Sequence, residues 1–104
     1  MSSFNKSLKK NGYNPSIMPT REGRCYVCNK ETDTAIHEIF YGTANRKNSK
    51  KYGTWVYVCP SCHDNIHDNP NRGTDIHLKR NAQWCFEQYN TRQEFIRIFG
   101  RTWL

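Results

Sequence analysis

A chain of 104 residues with a formal net charge of +7, 36% hydrophobic and 24% charged residues has room for one core and little apolar matter to spare, so some staple is expected. No apolar run approaches the roughly 18 residues that span a bilayer, and the polar opening Met1-Ser2-Ser3-Phe4 lacks the apolar segment of a signal peptide, so a cytoplasmic protein with no membrane role is expected. The positive balance favours a polyanionic partner but does not by itself choose among RNA, DNA and an anionic surface.

Residues 1 to 24 carry Lys6, Lys9, Lys10, Arg21 and Arg24 among Asn, Ser, Gly and Pro and read as a basic N-terminal arm, either solvated or bound, with Phe4, Leu8, Tyr13 and Ile17 available to dock it. Cys25-Tyr-Val-Cys28 is a knuckle. Ala35 to Tyr41 reads as a short strand closed by Gly42. Thr43 to Lys51 is a polar, basic stretch that reads as a loop, and Thr54 to Cys59 alternates bulky and β-branched residues as a second strand does. Pro60 suits the first turn of a helix that Asn69-Pro70 should end, which completes a unit over residues 25 to 70.

Residues 71 to 104 read as a helical segment packed on that unit, giving an α+β fold. Leu78, Ala82, Cys85, Phe86 and Tyr89 recur at helical spacing and define a buried stripe, with Thr74 as the expected cap and Cys85 as a core thiol. Thr91-Arg-Gln-Glu94 is a capping box that announces a last helix, with Phe95, Ile96 and Phe99 as its apolar face and Gly100 as its stop.

Five cysteines in a cytoplasmic chain are better metal ligands or buried thiols than disulfides. Two Cys-x-x-Cys pairs, Cys25/Cys28 and Cys59/Cys62, stand in knuckle and helix-start contexts that point two thiolates each at one ion, so a structural Zn2+ held by four thiolates is expected. His63 and His67 are four residues apart on the helix opened by Pro60 and project from one face. His37 stands mid-strand in Ile36-His37-Glu38-Ile39, where alternation turns a polar residue toward a groove. His77 lies off the stripe and reads as a surface residue. Trp55, Tyr57 and Tyr41 could stack on bases, although aromatic residues in short strands are more often core.

With those residues in order, Cys25 to His67 resembles the HNH, or His-Me finger, endonucleases, and the string through Phe-Gly-Arg-Thr-Trp-Leu looks like small HNH-type proteins of phages and prophages, some associated with recombination. The resemblance implies a zinc-stapled, treble-clef-like ββα-metal unit in which His37, His63 and His67 bind a catalytic divalent metal, Mg2+, Mn2+, Ni2+ or Zn2+. It implies hydrolysis of phosphodiester bonds in DNA, branched or nicked DNA included. Where many members place a general-base histidine, this chain has Glu38. Three assignments follow: Glu38 is the base; His37 is the base while the helix histidines and a carboxylate hold the ion; or the fold has lost catalysis. His37, Glu38 and His63 are thus the candidate catalytic residues, and Asn45, Arg46, Lys47, Lys50 and Lys51 the candidate DNA contacts, against a solvated basic loop as the alternative. The rival from another class is a catalytically silent zinc module that binds nucleic acid or protein; a thiol redox protein is disfavoured by the knuckle spacing.

Overall fold

The computed structural model describes residues 12–104, so Phe4, Lys6, Leu8, Lys9 and Lys10 of the expected arm lie outside the described residues. The chain forms a small α+β fold with a two-stranded sheet and four helices among the described residues. In order they are β1 (Ala35–Glu38), α1 (Thr43–Tyr52), β2 (Trp55–Val58), α2 (Pro60–Asp68), α3 (Gly73–Glu87) and α4 (Arg92–Phe99). The strands run antiparallel, with His37 opposite Val56 and Glu38 opposite Trp55. None of the helices among the described residues is long and apolar enough to cross a membrane.

The connection between the strands is a helix, not the expected loop. Thr43 to Tyr52 makes nearly three turns because Ala, Arg and Lys are good helix formers, Gly42 enters at φ 95°, and Gly53 closes it in the left-handed conformation, its N–H on Ser49 O. Gly53 tolerates no side chain, since a Cβ there would lie 2.2 Å from Pro15 O. The helix escaped apolar patterning because polar groups fasten its inner face. Buried Ser49 donates its hydroxyl to Phe40 O at 2.7 Å and accepts from Phe40 N at 3.2 Å. The Asn48 and Asn45 amides donate to Ile98 O at 2.8 Å and Phe99 O at 3.2 Å.

The core lies between the sheet and the last two helices. Ile39, Val56, Val58, Ile66, Leu78 and Ala82 are buried with a cluster of phenylalanines. Phe40 and Phe99 have ring centroids 4.6 Å apart, Phe95 and Phe99 4.7 Å, and Phe86 and Phe95 5.5 Å. Phe86 and Phe95 meet edge to face while the other two pairs are tilted, and such offset arrangements add to the area they bury. Trp55 and Tyr57 are buried as well, outside that cluster, with ring centroids 5.3 Å apart.

Four local expectations are corrected. β1 stops at Glu38: Ile39 N–H still bonds Thr54 O at 3.0 Å, but from Phe40, which is bonded to Ser49, the chain turns away into α1. α3 starts at Gly73 with Arg72 at the N-cap, two residues ahead of Thr74. Tyr89, expected on the buried stripe, is 92% exposed because α3 ends at Glu87 and the chain leaves its helical course. Ile96 is exposed as well, since the inner face of α4 is filled by Phe95 and Phe99. The Thr91 cap does form, its hydroxyl accepting from Glu94 N at 3.1 Å, but the Glu94 carboxylate turns to Arg97.

Residues 13 to 18 are packed on the sheet. Tyr13 meets Trp55 edge to face at 5.6 Å, Ser16 donates to Trp55 O at 2.6 Å, Ile17 N–H bonds Gly53 O at 2.9 Å, and Met18 is buried. At the other end, the buried Gln83 amide ties down the C-terminal residues, donating to Thr102 Oγ1 at 2.9 Å and accepting from Trp103 N at 2.7 Å.

Candidate functional site

The first knuckle is shaped by its own backbone. Cys25 N–H bonds Lys30 O at 3.0 Å, Asn29 N–H returns to Cys25 O at 2.9 Å with Asn29 at φ 66°, and Cys28 N–H points at Cys25 Sγ at 3.5 Å. Tyr26 N–H on Tyr57 O at 2.8 Å pins that knuckle to β2, which leads directly into the second pair. Cys59 is the N-cap of α2 and Pro60 its first residue, so Cys62 comes round one turn later beside Cys59.

The four sulfurs of Cys25, Cys28, Cys59 and Cys62 all lie within 4.8 Å of one another, with Cys28 and Cys59 at 3.9 Å. A tetrahedron of thiolates about 2.3 Å from zinc has edges of about 3.8 Å, so the cluster can hold a structural metal such as zinc. Its electrostatics agree. Burial works against ionisation of Cys25, but backbone N–H groups aimed at its sulfur outweigh burial and draw the thiol down to about 6. Cys62 is pushed up, by burial first and then by the sulfurs crowded round it. One thiolate therefore forms readily and the accumulation of further negative charge calls for a cation. Cys85 stands apart from this cluster, half-buried on α3 and raised by burial.

A second convergence lies on the same unit. His63 and His67 follow each other on one face of α2 with Nε2 atoms 3.1 Å apart, and His37 reaches them from β1 with ring centroids 5.3 and 5.4 Å away. One ring nitrogen from each of the three lies within 4.8 Å of the others. His37 is almost wholly buried, and its Nε2 has no hydrogen-bond partner among the described residues. A buried polar atom without a partner is costly, and three imidazoles facing one point fit a divalent cation. Burial, followed by the neighbouring imidazoles of His63 and His67, holds His37 down at about 4, so it is neutral at pH 7; burial and His67 lower His63 too. The His37 and His63 rings are therefore available as lone-pair donors.

Glu38 is not among the converging side chains. Its Oε2 accepts the Tyr13 hydroxyl and its Oε1 lies 3.7 Å from Arg46 Nε, which places the carboxylate between the N-terminal segment and α1. Burial and the Glu38 carboxylate push Tyr13 well above the ordinary tyrosine range, so its hydroxyl stays a donor.

The basic residues of 43–51 are ordered on α1. Arg46, Lys47 and Lys51 are exposed, Lys50 is half-buried with its ammonium 5.1 Å from the Tyr13 ring, and Asn45 is committed to Phe99 O. Tyr41 does not point into free space: its ring is 5.5 Å from that of His67 and 6.0 Å from that of His37, and its hydroxyl donates to Asp75 at 3.0 Å. Asp75 and its i+4 partner Lys79 are both buried and paired at 2.9 Å. These two escaped sequence reasoning; the available signal was a charged pair at helical spacing on the same stretch as Leu78 and Ala82.

The chain matches no protein-family model, no curated protein and no solved structure.

Proposed function

We propose that this protein is a metal-dependent endonuclease that hydrolyses phosphodiester bonds in DNA, built as a ββα-metal unit of the HNH type. The observation that carries the reading is the meeting of His37, His63 and His67 beside a basic helix, on a unit whose four cysteines can hold zinc. A divalent cation at the imidazoles would polarise the scissile phosphodiester and stabilise charge on the leaving oxygen. His37 and the α2 histidines orient the site, and Tyr41 walls it from one side. Glu38, next to His37 in β1 with its carboxylate fixed by Tyr13 and Arg46 beside the three imidazoles and not among them, would take the proton of the attacking water. Arg46, Lys47, Lys50 and Lys51 hold flanking phosphates without reading bases.

One observation favours a second reading, a zinc module that binds nucleic acid and cuts nothing: Glu38, the candidate base beside His37, already has both carboxylate oxygens engaged. Incubating the zinc-loaded protein with supercoiled, linear, single-stranded and branched DNA in Mg2+, Mn2+, Ni2+ or Zn2+ separates the two. Nicking that disappears in His63→Ala supports the enzyme. Salt-sensitive binding without cleavage in any metal supports the silent module.

A further inference from the structure

Asp75 lies at the start of α3 with no exposed surface, yet its hydrogen bonds are lopsided. Asn71 N–H at 2.6 Å, the Lys79 ammonium at 2.9 Å and the Tyr41 hydroxyl at 3.0 Å all meet Oδ2. Oδ1 is enclosed and has no donor among the described residues. The pair with Lys79 accounts for a buried charge at Oδ2, but it gives no reason to keep the second oxygen unpartnered, which is costly in a dry interior.

The same network reaches the histidine centre. Tyr41 carries the Lys79 ammonium on one side, 4.4 Å from its ring centroid, and flanks His37 and His67. Asp75 is close enough for its charge to act on the His37 ring. An imidazole that gives one nitrogen to a cation carries its proton on the other, and that N–H needs an acceptor. His37 is 1% exposed, so bulk water does not serve.

Resting on the histidine centre proposed above, we propose that Asp75 is its positioning residue: Oδ1 accepts, through one water, the ring proton that His37 keeps when its other nitrogen faces a divalent cation. The three donors on Oδ2 hold the carboxylate in place, and the bond to His37 fixes the tautomer and the ring plane. Partners of this kind change metal affinity by about ten- to a hundredfold.

The test uses zinc-loaded full-length protein titrated with Ni2+ by calorimetry. The variants are His63→Ala and the double variant Asp75→Asn with Lys79→Met, which removes both charges together so that neither is stranded. The double variant is expected to keep its cysteine-bound zinc and its cooperative unfolding while binding Ni2+ about ten- to a hundredfold more weakly. A purely structural Asp75 would not alter the His37 ring itself, so nitrogen-15 spectra of the protein with Zn2+ added provide a second readout. Wild type should show one slowly exchanging His37 ring proton, and the double variant should not. Nickel affinity within twofold of wild type, or a wild-type spectrum without that proton, overturns the proposal and leaves the histidine centre standing. Wild type that binds no more Ni2+ than His63→Ala removes the centre and the proposal together. If the double variant fails to fold, the wild-type spectrum alone decides.

Discussion

His63 and His67 bring their Nε2 atoms to 3.1 Å, a separation that two ligands of one cation adopt and that an N–H···N hydrogen bond between the rings holds when no cation is bound. The i, i+4 spacing sets the two rings on one face of α2, and the Cys59 cap anchors that helix to the cysteine cluster. His67→Ala is expected to weaken Ni2+ or Mn2+ binding by at least about tenfold, with the cysteine-bound zinc retained; calorimetry together with metal analysis checks both halves.

The lowered proton affinity of His37 and His63 has a defined sign for cation binding. Protons compete with a cation at each ring, and a ring of ordinary pKa loses about tenfold per pH unit once the pH is below about 6.5. His37, held at about 4, stays unprotonated at pH 5.5. Going from pH 7.5 to 5.5 should therefore cost less than about a hundredfold in affinity, where three ordinary rings would cost about a thousandfold. Calorimetric titrations at the two pH values decide the matter, and the full thousandfold loss would contradict the neutral His37.

Zinc removal should unfold the chain. Structural zinc contributes on the order of 10 kcal/mol in small domains, more than a core of this size can replace. Cys59→Ser is expected to lose helical circular dichroism and to purify without stoichiometric metal. Cys85→Ala, outside the cluster, should keep one cysteine-bound zinc per chain.

On α1, Arg46 and Lys47 are exposed and can be changed without disturbing the Ser49, Asn48 and Asn45 anchors. If both contact phosphates, the double alanine variant lowers the slope of log affinity against log salt by about 1.8. Fluorescence anisotropy across a salt series measures that slope, and an unchanged value would assign the two cations to solvent.

Glu38→Gln keeps the shape and hydrogen-bonding reach of the side chain but abolishes its capacity to take a proton. If Glu38 is the base, kcat for nicking falls by about 10²- to 10⁴-fold while Ni2+ affinity holds. Cleavage at the parental rate would move the base role elsewhere.

The relations that the sequence by itself determined are those confined to one element. The Cys-x-x-Cys spacings, the His63/His67 face, the Thr91 cap and the Pro60 start follow from the pitch of a helix or the curl of a knuckle, whatever surrounds them. Tertiary structure decided the rest. Thr43 to Tyr52 is a helix held by Phe40, Ile98 and Phe99, Glu38 lies against Tyr13 and Arg46, and Asp75 turns inward to Tyr41. Each depends on polar partners distant in the chain, and hydrophobic periodicity carries no record of them. A buried serine, asparagine or aspartate reads as surface until the fold supplies the group it bonds.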